Sequence, residues 1–195
     1  MGENVNPETK FKARKKELYL QITQLISKEG FEKLTIRHIC HELGISIGTF
    51  YHYFPEKGDI AWILFSDIDK YFSEEVINQF TDYEADNLVT FYREYGNYVV
   101  MQGVETCRCI SMAPFHNKSR SYLDENRSIF QILLEIIERG VEKKQFRISS
   151  SPLEIARMLM VLLRGYSSDW AKREGDYDVV EKIEEFIKLF VKSLI

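Results

Sequence analysis

Apolar residues recur at intervals of three and four along most of the chain, and short polar segments interrupt them. Leu18, Ile22, Leu25 and Ile26 share one helical face and Gly30 follows as a C-terminal cap, which predicts a first helix over roughly 10–29. Thr35 is placed to cap a short second helix, Ile36 to Glu42, with Ile36, Ile39, Cys40 and Leu43 facing inward. Gly44 marks a tight turn, Ser46 can cap a third helix reaching about Tyr53, and Pro55 stops it. A fourth helix is predicted from near Glu56 to about Phe80, long enough to join the two ends of the molecule as one rod. Segments 86–105, 106–116, 122–145, 152–173 and 178–194 also have helical periodicity. Ser151-Pro152-Leu153-Glu154 and Asp178-Val179-Val180-Glu181 supply start signals for the last two. Alternating β-branched patterns are sparse, so the expected fold class is all-α: a three-helix unit over 1–55 and a helical bundle over 56–195.

Two short helices joined by a glycine-containing turn form a helix-turn-helix, whose second helix enters the major groove of DNA. Ile36, Ile39, Leu43, Ile45, Phe50 and Phe54 would hold the pair together. That arrangement leaves Ser46, Ile47, Thr49, Tyr51, His52 and Tyr53 outward, a set of hydroxyls, an imidazole and aromatic edges suited to phosphates, base edges and thymine methyls.

Charge at first argues against a nucleic-acid partner, because the 195-residue chain has a formal net charge of -4. Its distribution reverses that. Lys and Arg outnumber Asp and Glu nine to eight over residues 1–59, whereas the remainder has 17 against 22. Lys10, Lys12, Arg14, Lys15 and Lys16 fall within seven residues free of acids, so a basic head sits on an acidic body. No apolar run is long enough for a membrane span, the first 16 residues have no secretory core, and three cysteines make no disulfide framework. The expected location is cytoplasmic, with no membrane partner.

The stretch from Thr35 to Lys57 resembles the TetR/AcrR family of transcriptional regulators. The resemblance rests on the Thr opening the second helix, the Gly44-Ile45-Ser46 turn, Gly48-Thr49-Phe50-Tyr51, and Tyr53-Phe54-Pro55 with Lys57. One helix precedes this motif and about 140 residues of helices follow it. The residue-level likeness covers 15–65, and beyond it the agreement is architectural. Two positions depart from the pattern: Glu56 stands where the family usually caps its fourth helix with Ser or Asn, and Gly58 where an acid is common. The resemblance implies DNA contacts at Arg37, Ser46, Ile47, Gly48, Thr49, Tyr51, His52, Tyr53 and Lys57. Tyr51 and Lys57 would grip phosphates, and Ile47, Gly48, Thr49 and His52 would read bases. It further implies a homodimer formed through the last two helices, a palindromic operator, and a small effector bound in the body. In that scheme the chain is a ligand-responsive repressor, with the ligand tilting the long fourth helix.

Most aromatic and Met residues after position 85 read as helical core. Tyr95, Tyr98 and Trp170 are the candidates for lining an effector pocket that is largely apolar, with a few orienting hydroxyls. His38 and His41 lie three apart on one helix but lack a third ligand, so no metal is expected. Cys107 and Cys109, two apart on a helix, point to nearly opposite faces and cannot share an ion; at least one reads as a small buried residue, with a redox role the alternative. There is no Gly-rich phosphate loop, nucleophile elbow or HExxH, so neither an enzyme nor a cofactor is expected.

Overall fold

The structure is a computed structural model that describes residues 6–30, 33–55, 59–112 and 124–194, without the side chains of residues 59–66, Cys109 and Met112. Nine α-helices and no strands occur among the described residues: α1 (Pro7–Glu29), α2 (Ile36–Glu42), α3 (Ile47–Tyr53), α4 (Asp59–Glu74), α5 (Glu84–Gln102), α6 (Val104–Met112), α7 (Ser128–Glu142), α8 (Pro152–Lys172) and α9 (Val179–Leu194).

The helix ends follow local chemistry. Thr35 Oγ1 accepts from the His38 amide at 3.1 Å and Ser46 Oγ from the Thr49 amide at 3.0 Å, fixing the starts of α2 and α3. Ser151 and Glu154 form a reciprocal capping box on α8, and Asp178 Oδ1 accepts from the Glu181 amide at 3.0 Å at the start of α9. α1 begins at Pro7, earlier than expected, because Asn6 caps it and Pro occupies the first turn at no hydrogen-bond cost.

Three predicted helices are shorter than their periodicity implied. α4 stops at Glu74 and a 3₁₀ turn, Val76–Gln79, follows. Asn78 Nδ2 donates to the Glu74 carbonyl at 2.5 Å, offering the backbone an alternative to continued helix. α4 is therefore about 24 Å long over 16 residues rather than a rod to Phe80. α5 ends at Gln102 because Gly103, at φ 80°, breaks the axis before α6. α7 begins at Ser128, preceded by an Asx turn in which Asp124 Oδ1 accepts from the Asn126 amide at 2.9 Å.

Two hydrophobic cores form among the described residues. The head core joins Leu18, Ile22 and Ile26 of α1 to Ile39, Phe50 and Phe54, all fully buried. The body core runs from Phe72 through Phe91, Tyr92, Leu133, Ile136, Leu159 and Leu163 to Ile183 and Ile187. α5 packs along α9, where Gly96 lets the helices close: a Cβ there would lie 3.1 Å from the Val180 Cα. At the far end of α5 the buried Glu84 carboxylate accepts from Arg139 Nε at 3.0 Å and from Lys143 Nζ at 2.9 Å, tying α5 to α7. α1 meets the body chiefly through α6 and also touches α4; Ile110 of α6 packs onto the head core.

Candidate DNA interface and effector cavity

The turn between α2 and α3 is set by Gly44, at φ 62°, and by the Ile45 amide, which donates to the Cys40 carbonyl at 3.0 Å. Ile39, Cys40, Phe50 and Phe54 are buried beneath it, with Ile36, Leu43 and Ile45 packed at the edge, as the periodicity implied. This fixes which face of α3 points out. Ser46, Ile47, Gly48, Tyr51 and His52 are exposed, as is Arg37 on α2, and Thr49 is half-buried with its hydroxyl 2.8 Å from Ser46 Oγ. Six of the expected contact positions are thus exposed and Thr49 is half-buried. Lys57 and the two departing positions Glu56 and Gly58 lie outside the described residues.

Tyr53 differs from the expectation of an outward side chain. It is half-buried, its ring stacked on Phe11 of α1 with centroids 4.8 Å apart. Phe11 also meets His52 edge-on at 5.2 Å, so one α1 residue braces two residues of α3. Phe11 belongs to no motif, and only the packing of α1 across α3 reveals its role. The basic segment of α1 is partly neutralised by its own helix: Lys12 pairs with Glu8 and Arg14 with Glu17, each at 2.7 Å. Lys15 instead lies over the Phe54 ring, 5.6 Å from its centroid. His38 Nε2 meets Glu29 at 2.8 Å, so this histidine ties α2 to the end of α1. No group of three metal-ligating side chains occurs among the described residues.

In the body, a cavity of about 40 Å³ lies among α4, α5, α6 and α8, walled by Ile68, Tyr95, Tyr98, Cys107, Met160 and Ser167. It is mainly apolar, with Gln102 and Arg127 among its lining residues. Arg127 Nε donates to Asp69 Oδ2 at 3.0 Å, and Asp69 Oδ1 accepts from the Ile129 amide at 3.1 Å, so the cation is held by the wall itself. Tyr95 and Tyr98, two of the three aromatic candidates, line this cavity. Trp170, the third, is not among the lining residues of this cavity; it is buried in the core and its Nε1 donates to the Tyr177 carbonyl at 3.0 Å. The Cys107 thiol is 5 % exposed and burial pushes its pKa up to about 12, so it is protonated and unreactive in this state. The side chain of Cys109 lies outside the described residues.

α6 has a second face. Ile110 lines the cavity and also packs on the head core, and Gly30, at the end of α1, is so close to α6 that a Cβ would come within 2.9 Å of Glu105 Oε2. No helix among the described residues is long and apolar enough to cross a membrane.

Comparison with known proteins agrees with this geometry. Residues 21–61 match the model of the tetR family of bacterial regulatory proteins. An HTH-type transcriptional regulator of Staphylococcus aureus (strain USA300) is 26% identical over 154 residues, covering 78% of this chain and 69% of that protein. Among solved structures, FadR of Thermus thermophilus, a TetR-family repressor crystallised with lauroyl-CoA, superposes with TM-score 0.73 at 18% identity over 93% of this chain and 95% of its own. FadR of Bacillus subtilis, in complex with stearoyl-CoA, gives TM-score 0.71 at 16% identity over 91% of this chain and 98% of its own. The helix-turn-helix and the family match over it assign residues 21–61 to the tetR family of bacterial regulatory proteins, and the chain as a whole shares the fold of the solved TetR-family regulators.

Proposed function

We propose that this regulator is a repressor that grips a palindromic operator as a homodimer and releases it when a small, largely apolar molecule enters the body. The observation that carries the DNA half is the outward face of α3. Its inner residues are locked in the head core, so Arg37, Ser46, Ile47, Gly48, Thr49, Tyr51 and His52 are held on a rigid support. Tyr51 fits a phosphate contact that sets register, and Ile47, Gly48, Thr49 and His52 fit the base-reading positions. Tyr53 contributes through Phe11 by holding α3 against α1. In this reading residues 1–55 are the DNA-binding domain and 56–195 the effector-binding and dimerisation domain.

Dimerisation is supported by the outer surfaces of α8 and α9. Ile155, Leu159, Leu163, Ile183, Ile187 and Val191 are consumed by the body core. Met158 and Val161 on α8 and Leu189 on α9 remain 61–66 % exposed, with Phe186 and Phe190 half-buried beside them. A second copy laid on this surface gives a four-helix bundle with an isologous interface.

The effector half rests on volume and placement. A cavity of about 40 Å³ is far below the roughly 300 Å³ that a drug-sized ligand needs, so a ligand enters only by moving a wall. Two walls touch the head, α4 and α6, and α6 makes the larger contact, through Ile110 and through Glu105 against Gly30. Outward displacement of α6 tilts α1 and changes the separation of the two recognition helices, which the operator fixes. Ligand and DNA are then coupled by about 1–3 kcal/mol, reciprocally. The test is selection from a random duplex library followed by titration of the selected DNA with body ligands. An enriched inverted repeat with half-sites about one helical turn apart or a multiple is expected. Failure to enrich any inverted repeat removes the operator reading, and a tight body ligand that leaves DNA affinity unchanged removes the release mechanism.

A further inference from the structure

We infer that the body site takes an apolar molecule bearing one uncharged hydrogen-bond acceptor, a ketone, ester, thioester or amide oxygen, and that the Tyr98 hydroxyl is the donor that meets it. This inference rests on the reading of the body as an effector site.

Tyr98 lines the cavity, is 7 % exposed, and its hydroxyl has no hydrogen-bond partner of standard geometry among the described residues. A buried phenol normally finds a partner, because leaving its O–H dry forfeits the bond it makes in water. Tyr92, in the same core, follows the rule and donates to the Leu159 carbonyl at 2.9 Å. The Tyr98 hydroxyl sits beside Gln102, whose amide is placed to donate weakly to its oxygen, and beside Cys107; both line the cavity, so the hydroxyl's own proton, which meets no acceptor among the described residues, is at the cavity. Burial, with the nearby Asp67, raises its pKa, so it is protonated and able to donate across the physiological range.

The charge of the acceptor follows from Arg127. Its side chain is 6 % exposed and is already held by the Asp69 carboxylate at 3.0 Å. An incoming carboxylate would compete with Asp69 for a cation already matched, while its own desolvation went uncompensated. A neutral carbonyl oxygen has no such cost, and the apolar walls Ile68, Tyr95 and Met160 suit the remainder of the molecule.

Matched ligands test this on the full-length protein. Acetophenone is compared with cumene and methyl octanoate with decane, each pair similar in shape and differing in the acceptor, with octanoate as the charged arm. Binding is read by calorimetry on wild type, Tyr98→Phe and Tyr95→Phe. Tyr95→Phe removes a second phenol of the same wall that is not left without a partner. Wild type should bind the ketone and ester about tenfold tighter than their hydrocarbons, the worth of one hydrogen bond to a buried donor. Tyr98→Phe should abolish that preference while its apo melting temperature stays level or rises, because the hydroxyl removed was unsatisfied. Tyr95→Phe should keep the preference. No preference in wild type, its persistence in Tyr98→Phe, or no binding by any member of the set overturns the inference. Octanoate binding tighter than methyl octanoate would assign anion recognition to Arg127 and overturn it as well. Ligands that show the Tyr98 preference yet leave operator affinity unchanged would refute release by effector alone, whereas ligands that release DNA without depending on Tyr98 would refute the present inference alone.

Discussion

Gly48→Ala separates what α3 needs for folding from what it needs for DNA. Gly48 is exposed in the first turn of α3 and its φ is not in the left-handed region, so the backbone accepts alanine without strain. A Cβ built there meets nothing nearer than Ser46 Oγ at 3.7 Å, an ordinary van der Waals distance. Within the chain, then, nothing requires glycine, and a helical glycine is disfavoured relative to alanine by about 0.5–1 kcal/mol. The substitution should raise the melting temperature by about 1–4 °C for a chain of this size. On DNA the sign reverses. If α3 lies in the major groove with Gly48 against it, the added methyl takes space that base edges or backbone must fill, and loss of one close contact costs about 1–2 kcal/mol, or roughly 5–30-fold in Kd. Differential scanning fluorimetry and fluorescence anisotropy with the selected duplex measure the two effects on one sample. A variant that is more stable and binds as well as wild type would refute the placement of Gly48 at the interface; one that is less stable would refute the steric account of α3.

The other predictions use different parts of the molecule. Tyr51→Ala should weaken binding on all duplexes alike, whereas His52→Ala should change base preference, read by selection with each variant; affinity of the wild type should also fall steeply with salt. Leu189→Lys, at a side chain 66 % exposed, should give a folded monomer by light scattering with unchanged helical content, because it charges the outer face of α9 without entering the core. Glu84→Gln should cost about 1–3 kcal/mol in urea denaturation, since it weakens the acceptor that Arg139 and Lys143 share. Burial opposes ionisation of Glu84, but the bonds from Arg139, Asn87 and Lys143 outweigh it and hold its pKa below the usual carboxylate range. The stabilisation is therefore present above the unfolded-state pKa and is lost as pH falls through the folded one, and the glutamine variant should lack that part of the acid sensitivity.

The all-α class, the helix-turn-helix and the direction in which its second helix faces are legible from local sequence signals. These depend on signals within one or two turns: Thr35, Ser46 and Ser151 cap their own helices, and Ile39, Phe50 and Phe54 lie on the inner face by 3.6-residue spacing alone. Where expectation and structure part, a second local bond competed with periodicity, as Asn78 does at the end of α4, or an interaction reached across the chain. Tyr53 looks outward on a helical wheel and is half-buried because α1 brings Phe11 onto its ring. Trp170 is buried away from the cavity that Tyr95 and Tyr98 line, with its indole proton donated to the Tyr177 carbonyl. The division of the apolar residues of α8 and α9 into core and outer surface, the Tyr98 hydroxyl whose proton meets no acceptor among the described residues, and the two faces of α6 come from tertiary packing. Burial and hydrogen-bond satisfaction belong to pairs of residues distant in sequence, and no pattern confined to one helix encodes which pairs those are.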